Sequence, residues 1–298
     1  MKILFYLFIF CFCCSCVNDK TNAVDQVEAP SLSEKKKTTS DGKWDLDLEF
    51  ELEGFNAVGI SRWNKYTLIS DSALNIIYIV DTRGKAIFDS TEVSSPVYIK
   101  QKKSRCLIPS YELDSVFVFR GNANNPLNVF EELDGPTAID AFNIDYFAIL
   151  DQKNHRMIYR KRLDQRIIGE EGSGIGQLNF PTNFELLNES KAYILDAGNK
   201  RVQVFDVSTG KALFEFGKAE NFDWVTGITI DDTRVFVSDL NKGVIYIYDH
   251  DGNYIDQINE LINNPSEIEM NEGHLYIANQ NGPEIIILKE VVQKESED

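Results

Sequence analysis

The amino-acid sequence predicts an all-β fold, a six-bladed β-propeller with four-stranded blades. Three observations carry that expectation: a strand–turn–strand window that recurs six times, a small strand at a fixed distance before each copy, and an alternating segment upstream of the first copy. The windows are "LISDSALNIIYIV" from Leu68, "LIPSYELDSVFVF" from Leu107, "AILDQKNHRMIYR" from Ala148, "YILDAGNKRVQVF" from Tyr193, "FVSDLNKGVIYIY" from Phe236 and "YIANQNGPEIIIL" from Tyr276. Their starts are separated by 39, 41, 45, 43 and 40 residues. In each, a short apolar run is followed by a polar turn opened by Asp, Asn or Ser, and then by a strand that alternates apolar with polar.

The N-terminus comes first in the chain. Lys2 precedes the apolar run "ILFYLFIFCFCC" (3–14), too short for the roughly 20 residues that span a bilayer, so it reads as an export signal. The following "CCSCVND" resembles the lipobox of bacterial lipoproteins, with Ser15–Cys16 as the cleavage pair. That resemblance implies lipidation of Cys16 and attachment to a bilayer in the cell envelope. Cys13 stands where that family has Leu, and Cys14 is the alternative acceptor. Four of the five cysteines lie within residues 11–16, so Cys106 in "RCLIP" is left without a disulfide partner and reads as a small buried hydrophobe. The chain then divides into a signal peptide (1–15), a polar, aromatic-free tether (16–43), the propeller (44–292) and a polar tail (293–298).

The net charge of −17 argues against a nucleic-acid surface, which needs clustered Lys and Arg, and removal of residues 1–15 makes the chain one unit more negative. The 43% hydrophobic content is enough for a sizeable core.

Eleven or twelve residues before each window a small strand begins, at "AVGIS" (57), "PVYIK" (96), "PTAID" (136), "PTNFEL" (181), "VTGITI" (225) and "PSEIEM" (265). Proline suits the first position of a strand because it cannot donate to a ladder. Hairpins with Gly follow several windows, at 80–87, 205–213 and 248–255, so each unit supplies about four strands. The last unit ends at "EIIILKEV" one strand short. "KWDLDLEFEL" (43–52) puts Trp44, Leu46, Leu48, Phe50 and Leu52 on one face by simple alternation and is the expected closing strand. The best-formed unit, "GSGIGQLNFPTNFELLNESKAYILDAGNKRVQVFD" (172–206), closely resembles an NHL repeat through "GxGQLNFP", "YILD" and "NKRVQVFD". Asp196 and Asn199 then read as bonding the backbone of their own turn, and Arg201 as covering apolar surface with its stem.

Chemical motifs fare poorly. "GSGIG" (172–176) lacks the helix a phosphate loop needs, and "DHDGNYIDQINE" (249–260) has Tyr254 where a calcium loop needs Gly. The family resemblance includes a zinc lyase with several His ligands, but His155, His250 and His274 belong to different turns and faces. Calcium lactonase propellers use scattered Glu, Asn and Asp, for which Glu267, Asn183 and Asn279 are candidates. The leading expectation is a lipid-anchored, non-catalytic module that binds a protein or small-molecule ligand, with no cofactor assigned and no catalytic residue. A metal-dependent propeller enzyme with a divalent ion in the channel is the alternative. The expected binding face carries Phe180, Phe222 and Trp224 from the two longest inter-blade loops, close to Arg156 and Arg201 from the turns.

Overall fold

A computed structural model describes residues 37–50, 56–81, 86–102, 105–120, 133–143, 146–188, 190–280 and 284–291. Cys14, Cys16 and most of the tether lie outside them.

Each repeat folds as an antiparallel meander, the shape expected of alternating strands joined by short polar turns. Blade 1 holds β2 (Gly59–Trp63), β3 (Tyr66–Asp71), β4 (Ile76–Val80) and β5 (Ala86–Glu92). After β1 (Trp44–Phe50), blade 2 contributes β6 (Lys100–Lys102), β7 (Arg105–Ser110) and β8 (Ser115–Arg120), three strands among the described residues. Blade 3 is β9 (Pro136–Asn143), β10 (Tyr146–Asp151), β11 (Arg156–Lys161) and β12 (Asp164–Ile168). Blade 4 is β13 (Phe184–Leu187), β14 (Lys191–Asp196), β15 (Arg201–Asp206) and β16 (Lys211–Phe216). Blade 5 is β17 (Val225–Ile230), β18 (Arg234–Asp239), β19 (Val244–Asp249) and β20 (Tyr254–Ile258). Blade 6 combines β21 (Pro265–Asn271), β22 (His274–Asn279) and β23 (Ile285–Glu290) with β1 as its outer strand.

The core is distributed. Six apolar clusters each sit between two neighbouring blades, and the one joining blades 6 and 1 completes the ring. Hydroxyls stitch the inner strands together: Thr182 Oγ1 donates to Val225 O at 2.7 Å, Ser266 Oγ to Ala57 O at 2.7 Å and Ser70 Oγ to Val97 O at 2.6 Å. These contacts leave no room beside Gly59, where a Cβ would lie 2.5 Å from Val97 O.

β1 pairs antiparallel with β23, from Trp44 opposite Glu290 to Phe50 opposite Ile285, so the expected closure is present. The expected single apolar face is not. The register shifts between Leu46 and Leu48, a β-bulge that turns the strand over locally. Trp44 and Leu46 therefore pack between blades 5 and 6, whereas Leu48 joins the cluster between blades 6 and 1. One strand seals both sides of its blade. Trp44 is 3% exposed and meets Phe236 of blade 5 edge-on at 6.3 Å. Trp44→Ala is expected to cost about 3–5 kcal/mol. Urea denaturation of the full chain checks this, and a loss below about 1 kcal/mol would mean that β1 does not lock the ring.

Candidate functional site

A propeller offers two places for function, its central channel and the face that carries the inter-blade loops. The channel is lined from all six blades, by Ile60 and Ile228 and by the tripeptides Tyr98-Ile99-Lys100, Ala138-Ile139-Asp140, Asn183-Phe184-Glu185 and Glu267-Ile268-Glu269 at or just before the inner strands. Ile60, Ile99, Ile139, Phe184, Ile228 and Ile268 each enter a blade interface, and the polar residues beside them, by strand alternation, turn toward the axis. Only about 20 Å³ remains there for the centres of water molecules, roughly one water.

The polar groups of the channel bind one another. Lys100 Nζ donates to Glu185 Oε2 at 2.6 Å. Asn183 Nδ2 donates to Glu267 Oε2 at 2.7 Å, while Asn183 Oδ1 accepts from the Phe184 amide. Glu267 Oε1 accepts from Ile268 N at 3.2 Å, and Glu269 Oε2 from Arg62 N at 3.1 Å. Burial opposes charge on Lys100, but Glu185, Asp140 and Glu269 outweigh it and hold the ammonium well above the usual lysine range. Burial pushes the Glu267 carboxyl well above the ordinary carboxylate value and raises Glu269 as well, against the attraction of Lys100. Tyr98 is raised by burial and then by the charge of Glu267.

Glu267 and Asn183, two of the three scattered candidates, thus meet, but Asn279 does not join them. Its Oδ1 accepts from Asn263 N and Asn264 N at 3.0 and 3.1 Å, fixing the loop before blade 6. Asn183 gives its amide N–H groups to Glu267 Oε2 and Thr226 O, so in this arrangement it is a donor to the carboxyl rather than an oxygen ligand beside it. Among the described residues no group of three or more His, Cys, Asp or Glu is placed to hold a metal. His155 Nδ1 accepts from Phe180 N at 3.0 Å, and His250 Nε2 lies 3.0 Å from Asp231 O.

The recurrent polar residue of the windows has a role that spacing alone did not reveal. Asp71, Ser110, Asp151, Asp196, Asp239 and Asn279 are all completely buried at the end of the second strand. Asp71 accepts from Asn56 N, Asp151 from Asp134 N, Asp196 from Asn179 N and Asp239 from Asp223 N, at 2.7–2.8 Å. Each carboxylate pins the loop that enters its own blade. The reading of Asp196 as a cap of its own turn is therefore corrected. Asn199 Nδ2 bonds Gly172 O at 2.8 Å, again reaching the entering loop.

Arg201 is the largest correction. It is 2% exposed, and its Nε meets Asp196 Oδ2 at 2.7 Å and its Nη1 Glu215 Oε2 at 2.6 Å. Nη2 donates to Gly174 O and Gln177 O at 2.7 and 2.9 Å. Four of its five guanidinium N–H groups are committed to these partners, and buried as it is the side chain presents no surface to a partner. Phe222 is likewise fully buried between blades 4 and 5, its ring 5.4 Å from Tyr246. Phe180 remains 46% and Trp224 37% exposed on adjacent loops that the Thr182–Val225 hydrogen bond ties together. Phe180 stands edge-on to His155 at 4.7 Å. Arg156 pairs with Asp151 at 2.8 Å and stays partly open to solvent.

No protein-family model matches the chain. NHL repeat-containing protein 3 of Homo sapiens is 31% identical over 132 residues, 41% of this chain. The chain covers 36% of that relative, about a third of its length. In fold, the chain is similar to streptogramin B lyase, with a TM-score of 0.62, 12% identity, 84% of this chain covered and 98% of the lyase. Virginiamycin B lyase from Staphylococcus aureus gives a TM-score of 0.56 at 12% identity, with 85% and 90% covered. At such identity the likeness to the lyases is one of architecture. The fold defines a six-bladed β-propeller, and over 132 residues its sequence is similar to that of an NHL repeat-containing protein.

Two outcomes follow from these contacts. Arg201→Ala strands Asp196 in the interior and is expected to cost about 3–5 kcal/mol. Arg156→Ala, at a more open pair, should cost less than half of that in the same chemical denaturation series.

Glu267 keeps its proton in the fold above the ordinary value of 4.5, at which the unfolded chain releases it. Stability contributed by this group is therefore full at low pH and falls as pH rises from about 4.5 toward the folded value. Glu267→Gln should leave Tm unchanged near pH 4.5 and raise it by roughly 3 °C or more at pH 8. Equal shifts at both pH values, read by calorimetry, would contradict the buried-acid assignment.

Proposed function

We propose that this chain is an exported, lipid-anchored, non-catalytic binding module held to the cell envelope through Cys16. Its ligand or partner meets the loop face around Phe180, Trp224 and Arg156. The observation that carries this reading is the filled channel. Lys100, Glu185, Asn183 and Glu267 satisfy one another where a propeller enzyme would receive its substrate, and the space left holds about one water. What stays accessible is aromatic and cationic surface on the loop face, the residue types that dominate binding energy at interfaces.

The architectural likeness to the lyases favours a second reading, a metal-dependent propeller enzyme using Glu267 and Asn183. The two readings separate in one titration. Under the binding-module reading, millimolar calcium, magnesium or zinc leaves Tm of the purified chain unchanged. A rise of several degrees that Glu267→Gln abolishes would support the enzyme, because a ligand at 100 times its Kd adds about 2.7 kcal/mol. The anchor has its own test: Cys16→Ser should move the chain from the membrane to the soluble fraction, and retention would point to Cys14. On the loop face, Trp224→Ala is expected to leave Tm within about 1 °C, as for a surface substitution. A large loss would make Trp224 part of the core.

A further inference from the structure

The β11–β12 hairpin of blade 3 is unlike its counterparts. In blade 4 the equivalent turn is capped by Asp206, which accepts from Ser208 N and Thr209 N at 2.8 and 2.9 Å, with Gly210 at a φ of 73°. In blade 5 Asp249 accepts from Asp251 N and Asn253 N at 2.9 and 2.8 Å, with Gly252 at 83°. Both are polar turns capped by an aspartate and relieved by glycine. Blade 3 instead reads Arg160-Lys161-Arg162-Leu163-Asp164-Gln165-Arg166, four cations and one anion in a chain whose net charge is −17.

Lys161 pairs with Asp164 across the ladder, so Arg162 and Leu163 form a two-residue tip. Arg162 has a φ of 59°, at a tip position where hairpins favour Gly, Asn or Asp. Placing arginine there has a conformational cost, and such strain persists where a side chain is needed at that spot. Leu163 is 95% exposed, and every residue from 161 to 167 is exposed, Ile167 among them at 45%. The cations rest on ring faces and a carbonyl: Lys161 Nζ lies 4.9 Å from the Tyr146 ring, the Arg160 guanidinium 5.9 Å from Phe147, and Arg160 Nε donates to Arg162 O at 3.2 Å.

We propose that this hairpin is a membrane-contact element that dips Leu163 into an anionic lipid surface while Arg160, Lys161, Arg162 and Arg166 engage the headgroups. An apolar residue on a convex tip ringed by cations matches the layered chemistry of a bilayer interface, apolar below and anionic above. A protein partner is the weaker fit, since a two-residue tip without a groove falls far short of the roughly 1,200 Å² that specific protein interfaces bury. The turn of blade 5 carries two aspartates and that of blade 4 has no cluster of cations, so contact is confined to the blade-3 edge. The first described residues lie away from that edge. Lys37 and Thr38 pair onto β1 at the outside of blade 6, three blades around the ring from the hairpin. The hairpin would act without the lipid anchor, so the proposal goes beyond the anchored reading.

The test uses the full chain with an environment-sensitive fluorescent amino acid encoded at position 163, or at Ser208 as control. Vesicles are pure phosphatidylcholine or contain roughly 30% phosphatidylglycerol. The expected result is a blue shift at 163 on the anionic vesicles alone and none at 208. The shift should be lost in about 0.5 M salt, and the lipid concentration needed should rise roughly tenfold or more in Arg162→Glu/Arg166→Glu. No shift on anionic vesicles that carry the chain in flotation overturns the hairpin and leaves the anchor standing. A shift without flotation of the chain on neutral vesicles supports the hairpin and counts against the anchor. A shift caused by polyglutamate but not by vesicles overturns the lipid assignment in favour of an acidic protein.

Discussion

The buried acceptor at the end of each second strand is the interaction on which the rest of the molecule depends. A propeller blade has no core of its own, and its position is set by the loop through which the chain enters it. Asp71, Asp151, Asp196, Asp239 and Asn279 hold those loops by their backbone N–H groups, which removes donors that would otherwise be buried without partners. Ser110 does the same in reverse, donating its hydroxyl to the Ser94 carbonyl. A carboxylate in this role is costly to bury, and in blades 3 and 4 Arg156 and Arg201 offset that cost. The cluster that looks most like an active site in the sequence is thus the best-formed piece of scaffold.

With the loops pinned, apolar packing is local and circular. Each blade buries its faces against two neighbours, so stability is a sum of blade–blade interfaces, and a ring has no free end only if its last interface is complete. β1 provides that completion from the opposite end of the chain. Its bulge lets Trp44 and Leu48 serve different interfaces, which a flat strand could not do.

The channel shows the same economy turned inward. Six inner strands converge, and they bring one lysine and four carboxyl groups together: Lys100 pairs with Glu185, while burial raises Glu267 and Glu269 toward their neutral forms. What remains open to solvent lies at the perimeter: Phe180 and Trp224 on the loop face, and the cationic tip of blade 3 in an otherwise acidic molecule.

The sequence by itself determined the repeat, the blade count and the origin of the closing strand, because strand periodicity and turn chemistry are local and recur with the chain. It also named the polar position of each window, although not its partner. Only the tertiary structure decided that Asp196 reaches back to Asn179, that Arg201 and Phe222 are interior, and that Leu48 faces away from Trp44. Each of those facts depends on an entering loop, a neighbouring blade or a one-residue register shift, and none leaves a periodic mark. The meeting of Glu267 with Asn183 has the same cause, since residues 84 positions apart, in blades 4 and 6, face each other across the axis only when the ring closes.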